Sequence, residues 1–103
     1  MSTKALKSLE KRFGPITFGG FLRSARTMKD LSQVEMAEFL GISKSTLCDI
    51  EKSRQIVSID LASKIAKKCE LSEAFAVQAA ITDQLRRSGL KLEVEIRKPK
   101  RSA

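Results

Sequence analysis

The chain has 103 residues, a formal net charge of +8 and no histidine. That length allows one small domain with a modest core, and the excess of basic residues points to an anionic partner. A chain without histidine lacks histidine-based acid/base catalysis and common zinc sites, so we predict no enzyme activity, metal or cofactor. We also predict no membrane span, and two widely separated cysteines fit a reduced, cytoplasmic setting.

The basic residues are concentrated at the two ends of the chain. Residues 1–12 carry a net charge of +3 and residues 97–103 carry +4, whereas the 84 residues between them hold 12 basic and 11 acidic side chains. The function of the folded centre must therefore be argued from its residue pattern. We divide the chain into a basic N-terminal segment with a short helix (1–16), a helical domain (17–89), a strand (90–96) and a disordered basic tail (97–103).

Capping residues predict five or six helices in chain order. Serine or threonine repeatedly precedes a run of apolar residues at helical spacing, and glycine or proline often follows it. The predicted helices are 3–12, 18–28, a pair within 33–51, 59–69 and 73–88. Their predicted caps are Thr17, Ser32, Ser43, Ser58 and Ser72. We expect an all-α domain.

Residues 33–51 have the pattern of two helices joined by a tight turn. Apolar residues recur on both sides of Gly41, which suits the left-handed position that ends a helix because it has no Cβ. The outward face of the second helix carries no large side chain except lysine: Lys44, Ser45, Cys48, Asp49 and Lys52. Such a face suits the major groove of DNA, which admits one α-helix and displays the hydrogen-bonding edges of the bases.

The last predicted helix, 73–88, is apolar on more than one side. Packing against its own domain requires only one apolar stripe, so the surplus indicates a subunit interface, with a wide core stripe as the alternative. Residues 90–96 then alternate between apolar and charged side chains, which is the period of a strand. A lone strand must pair with a copy of itself, with another protein, or with nothing. The residues assigned to dimer or partner contact are Phe75, Val77, Ile81, Leu92, Val94 and Ile96.

The stretch from about Phe18 to Leu71 resembles the lambda-repressor/Cro-like helix-turn-helix family, often called XRE. The residues that carry the resemblance are Gln33, Ala37, Gly41, Ile42, Leu47, Ile50 and Glu51. The resemblance implies a five- or six-helix lambda-repressor-like DNA-binding domain, here followed by one C-terminal β-strand. It also implies a homodimeric repressor that binds double-stranded DNA at an inverted-repeat operator.

The resemblance further implies a role for each matching position. Base contacts would come from Lys44, Ser45, Thr46 and Asp49. Phosphate contacts would come from Gln33, Ser43, Lys52 and Arg54. Arg26 would form a structural ion pair with Glu51. The carboxylate of Asp49 can accept a hydrogen bond from cytosine N4, or it can turn away from the DNA and pair locally.

Outside the shared domain the chain resembles the antitoxins of bacterial type II toxin–antitoxin pairs. The resemblance rests on the length, on the sequence Gly-Pro-Ile-Thr-Phe-Gly at 14–19, and on the terminal helix with its strand. It implies a dimer that represses its own operon and neutralises a toxin protein by direct contact. The alternatives are a stand-alone phage-type or restriction-control repressor and a pure protein-interaction module, against which the polar, lysine-bearing helix argues.

Overall fold

The structure, a computed structural model, describes residues 16–97 and residue 99. Within those residues the fold consists of five helices: α1 (Phe18–Met28), α2 (Gln33–Leu40), α3 (Lys44–Glu51), α4 (Ile59–Lys68) and α5 (Glu73–Arg87). The prediction of an all-α domain is confirmed for this part of the chain. The predicted helix at 3–12 lies outside the described residues, as do residues 98 and 100–103 of the predicted tail. None of the five helices is long and apolar enough to cross a membrane.

Each helix begins at a serine or threonine whose hydroxyl accepts a hydrogen bond from the backbone amide three residues later. The five capping residues are Thr17, Ser32, Ser43, Ser58 and Ser72. At α2 the cap is reciprocal, because the Ser32 amide also donates to the Glu35 carboxylate, which lowers the pKa of Glu35. Each such cap stabilises its helix by about 1 kcal/mol. The helix starts are therefore set by local residues.

The turn between α2 and α3 is made by Gly41, whose φ of 73° is left-handed. Its amide donates to the Glu38 carbonyl, and the next amide, of Ile42, donates to the Ala37 carbonyl, so the last turn of α2 is satisfied. A side chain at this φ would be strained, which explains the glycine. The two helices of the predicted pair are thus joined by a turn of only three residues, Gly41 to Ser43.

The core forms where α3 packs on α1 and α2, and where α5 packs on α4 and α1. The largest fully buried side chains are Phe18, Leu22, Met36, Leu47, Ile50 and Ile65. Burying each contributes about 1.5–3 kcal/mol. The ring centroids of Phe75 and Phe21 are 5.3 Å apart. Part of the Phe75 ring, which was predicted to lie at a subunit interface, therefore packs within the protomer.

Helix α1 approaches the end of α3 most closely at Gly19. A Cβ there would overlap the carbonyl oxygen of Ile50 and would lie 2.8 Å from that of Glu51. The next residue, Gly20, has far more room, since its Cβ would meet only the hydroxyl of Thr17, at 3.3 Å. The close approach of α1 to the end of α3 therefore requires a residue without a Cβ at position 19.

The strand predicted at 90–96 is absent from the described chain, in which residues 90–97 form neither helix nor strand. The prediction is wrong for a single chain because the described residues supply no second strand to pair with. Instead the segment folds back along α5, where the Ile96 amide donates to Gln78 Oε1 at 3.3 Å. Ile96 also borders a cavity of about 220 Å³ beside Ala74 and Val77 of α5.

Candidate nucleic-acid interface

Helix α3 carries all four predicted base-contact residues. Lys44 and Ser45 on its first turn are exposed, whereas Thr46 and Asp49 are half-buried. The Ser43 hydroxyl donates to Thr46 Oγ1 at 2.8 Å and accepts from the Thr46 amide. The hydroxyl groups of Ser43 and Thr46 are therefore already hydrogen-bonded to each other. The two side chains with the greatest freedom to reach a base are consequently Lys44 and Ser45.

The side chain of Gln33, at the first position of α2, lies between α2 and α3. Its Nε2 donates to Glu51 Oε1 at 3.3 Å, and its Oε1 lies 3.3 Å from the Cys48 sulfur, which donates to it. These two contacts fix the orientation of the amide. Because Nε2 has two hydrogens, the second can still be donated to a phosphate.

Arg26 and Glu51 form an ion pair that joins α1 to the end of α3. The Arg26 Nε donates to Glu51 Oε2 at 2.8 Å, and its Nη2 donates to Glu51 Oε1 at 3.2 Å, with only 3% of the Glu51 side chain exposed. Hydrogen bonding to Glu51 raises the pKa of Arg26 above its ordinary value. Another guanidinium nitrogen, Nη1, donates to the Leu31 carbonyl at 3.0 Å. The pair therefore holds α3 in place and does not face outward.

Two predicted phosphate-contact residues, Lys52 and Arg54, lie in the exposed loop that follows α3. Ser53 between them has a left-handed φ of 59°, and the Arg54 amide donates to the Asp49 carbonyl at 2.8 Å. The loop therefore turns back over the C-terminal end of α3. Together α3, the start of α2 and this loop bring the predicted base- and phosphate-contact residues onto connected elements.

Sequence reasoning did not find two sets of contacts that support this surface. Cys48 is half-buried, and its thiol donates to the Gln33 side chain 15 residues away. Gln84 and Arg87 of α5 donate to backbone carbonyls of the loop after α3. Local spacing carries no signal for either, because the partners meet only through helix packing. Among the described residues no cluster of three or more metal-ligating side chains is present.

Comparison with known proteins places this geometry in a family. Residues 22–75, more than half of the chain, match the family model described as Helix-turn-helix. The chain belongs to this helix-turn-helix family (HTH_3), and the resemblance predicted from residues 33–51 is confirmed.

Two relatives illustrate the match. The ImmF control region 10 kDa protein of Bacillus phage phi105 is 42% identical over 48 residues, which make up 47% of this chain and 53% of the phage protein. The crystal structure of an HTH_3 family transcriptional regulator from Vibrio cholerae has 31% sequence identity and a TM-score of 0.52. That match covers 69% of this chain and 39% of the Vibrio chain. The chain thus spans about half the length of the curated relative it matches.

Proposed function

We propose that the chain is a sequence-specific DNA-binding transcriptional regulator that acts as a repressor, with α3 in the major groove. The observation that carries this proposal is the exposed first turn of α3, with Lys44 and Ser45 on a helix held from behind by Arg26 and Glu51. A helix that is rigidly placed can present the same side chains to the same base edges each time it binds. The transcriptional regulator from Vibrio cholerae is similar to this domain, which supports the proposal.

The contacts divide into two kinds. Lys44 and Ser45 read base edges, with Thr46 and Asp49 behind them on the same helix. Gln33, Ser43, Lys52 and Arg54 hold phosphates, which position the protein without carrying sequence information. Support for Gln33 comes from its fixed amide, and support for Arg54 from the backbone hydrogen bonds of its loop.

Replacing Lys44 or Ser45 with alanine should cost about 1–3 kcal/mol of binding free energy on the operator and relax base preference at one position. Arg54→Ala should instead weaken binding to operator and random DNA alike, since it removes a phosphate contact. Electrophoretic mobility shifts with DNA from upstream of the protein's own gene, and with a scrambled duplex of equal length, measure both effects.

The matched control for Lys44→Ala is Lys64→Ala, which removes the same charge from the exposed side of α4. Normal operator binding by Lys44→Ala at moderate salt would contradict the assignment of α3 as the reading helix.

We further propose a two-fold dimer formed through α5 and residues 90–96. Partly exposed apolar side chains recur along α5 at helical spacing: Ala74, Val77, Ile81 and Leu85. Leu90 and Leu92 beyond it are 51% and 61% exposed, which leaves apolar surface for a partner to cover. Within a dimer, Leu92, Val94 and Ile96 can meet their copies in a two-stranded ribbon over α5. Two copies of α3 would then lie about 34 Å apart on one face of an inverted-repeat operator.

Truncation after Gly89 tests the contribution of the C-terminal segment. If residues 90–96 join the two copies, the truncated protein should be monomeric in sedimentation at concentrations where the full chain is dimeric. It should also bind the inverted repeat far more weakly, because two linked half-sites no longer act together. A truncated protein that stays dimeric and binds tightly would show that α5 suffices and that residues 90–96 serve another partner.

The proposed regulator has two versions that differ in their partners. One is an antitoxin that represses its own operon and uses residues 90–96, or the N-terminal segment, to neutralise a toxin. The other acts without a toxin, as in a stand-alone phage-type repressor. Similarity to a phage control-region protein favours the second version. A small toxin-like reading frame next to the gene, whose product forms a complex with the purified protein, would establish the first.

A further inference from the structure

The loop after α3 is attached to α3 through its amides. The Arg54 amide donates to the Asp49 carbonyl at 2.8 Å, and the Gln55 amide lies 3.3 Å from the same oxygen. These bonds satisfy the loop's donors on one side. The carbonyl groups of the loop take no part in these bonds and are available to other donors.

Helix α5 supplies that second attachment through two side chains on successive positions of one face. Gln84 Nε2 donates to the Val57 carbonyl at 3.3 Å, and Arg87 Nη2 donates to the Arg54 carbonyl at 3.3 Å. The donors and acceptors are 27 and 33 residues apart in sequence. Both ends of the loop segment 54–57 are therefore tied to the C-terminal half of α5.

Packing holds only one end of this loop, at Val57, whose side chain is buried in the core. Residues 52–56 are all exposed, and a cavity of about 200 Å³ separates the loop from α5. Ser53, Gln55 and Ile56 line one side of that cavity, and Arg87 lines another. Because residues 52–56 are exposed, the Arg87 hydrogen bond to the Arg54 carbonyl has a large influence on where Arg54 lies, whereas the Gln84 hydrogen bond adds to the core packing of Val57.

We propose that Gln84 and Arg87 are positioning residues that hold the loop so that Arg54 can bind the DNA backbone. The proposal rests on the proposed function, since it assigns a supporting role behind a proposed phosphate contact. Arg87 acts through the Arg54 carbonyl and does not itself touch DNA. Because α5 is also the proposed dimer helix, the same helix then supports both the binding of Arg54 to the DNA backbone and the formation of the dimer.

The position of the loop is tested on the full chain without DNA. Arg87→Ala should speed amide hydrogen exchange of Arg54 and Gln55 by about fivefold, the factor expected when one ordinary hydrogen bond is lost. Gln84→Ala should have a smaller effect, because burial of Val57 in the core also holds that end of the loop. Arg87→Lys should restore part of the protection that Arg87→Ala loses, because an ammonium group can still donate. The amide of Leu71, which is bonded to the Ala66 carbonyl at 2.8 Å in a different turn, serves as the internal control. Unchanged exchange at Arg54 and Gln55 would overturn the proposal.

The consequence for DNA is tested by the salt dependence of operator binding. A plot of log affinity against log salt concentration has a negative slope, and loss of one phosphate contact reduces the magnitude of that slope by about 0.9. Arg54→Ala and Arg87→Ala should each show a fall of that kind, whereas the double variant should show no more than Arg54→Ala alone. A further fall of about 0.9 in the double variant would overturn the proposal by making Arg87 a phosphate contact itself.

Failure of the proposed function would look different. If the parent protein binds none of its upstream DNA in preference to a scrambled duplex, the repressor assignment fails. The exchange comparison still decides whether α5 positions the loop. If Arg54→Ala alone leaves the salt slope unchanged, Arg54 is not a phosphate contact and the positioning role is overturned with it.

Discussion

Glu51→Ala should lower the free energy of unfolding by about 3–5 kcal/mol, because removing one partner of a buried ion pair leaves the other charge uncompensated. The Arg26 side chain is only 14% exposed and would lose both of its carboxylate hydrogen bonds. A small domain has roughly 5–15 kcal/mol of stability in total, so the loss is a large fraction of it. Thermal denaturation followed by circular dichroism should show a melting temperature lower by at least about 12 °C.

Two variants make this result specific. Glu38→Ala removes the same charge from an exposed position of α2 and should melt close to the parent. Glu51→Gln keeps an oxygen that can accept from Arg26 and should be less damaging than Glu51→Ala. A melting temperature for Glu51→Ala within a few degrees of the parent would show that the pair contributes little to stability.

Gly19→Ala should destabilise the domain strongly for the addition of a single methyl group. The added methyl group would overlap the Ile50 carbonyl oxygen and crowd that of Glu51, and backbone atoms cannot rotate away as a side chain can. Overpacking of this kind costs about 1–3 kcal/mol, and sometimes more. Relief requires α1 and α3 to move apart, which also displaces the reading helix and stretches the Arg26–Glu51 pair. We therefore expect a lower melting temperature together with weaker operator binding in the fraction that remains folded.

The neighbouring glycine provides a matched control. Gly20→Ala adds the same methyl group one position later, where it meets only the Thr17 hydroxyl at 3.3 Å. Alanine is favoured over glycine in a helix by about 0.5–1 kcal/mol, which offsets the small shift required of the Thr17 hydroxyl, so this variant should melt close to the parent temperature. Equal destabilisation by the two substitutions would contradict the close approach of α1 to α3.

Much of the fold could be predicted because its signals are local. A capping serine and the amide it binds are three residues apart, and the apolar period of a helix is visible within two turns. The five described helices accordingly begin at the predicted caps, and Gly41 has the left-handed conformation that its place in the pattern predicted. The family followed from the same short stretch, residues 33–51, and the match over residues 22–75 agrees with it.

The C-terminal strand shows where periodicity stops being sufficient. Alternation at 90–96 describes which side chains would share a face, but a strand exists only when another strand satisfies its backbone groups. In the described chain the Ile96 amide instead donates to Gln78 of α5. Whether that segment pairs depends on a partner molecule, which no pattern within one chain determines.

The sequence by itself determined the order of the helices, their starting residues, the turn between α2 and α3, and the family. Tertiary structure decided which of two adjacent glycines has no room for a Cβ, how the amide of Gln33 is oriented, and that α5 reaches the loop after α3. The physical reason is distance along the chain. Local elements are stabilised by groups a few residues apart, whereas the contacts around α3 join residues 15 to 33 positions apart, which meet only after the helices have packed.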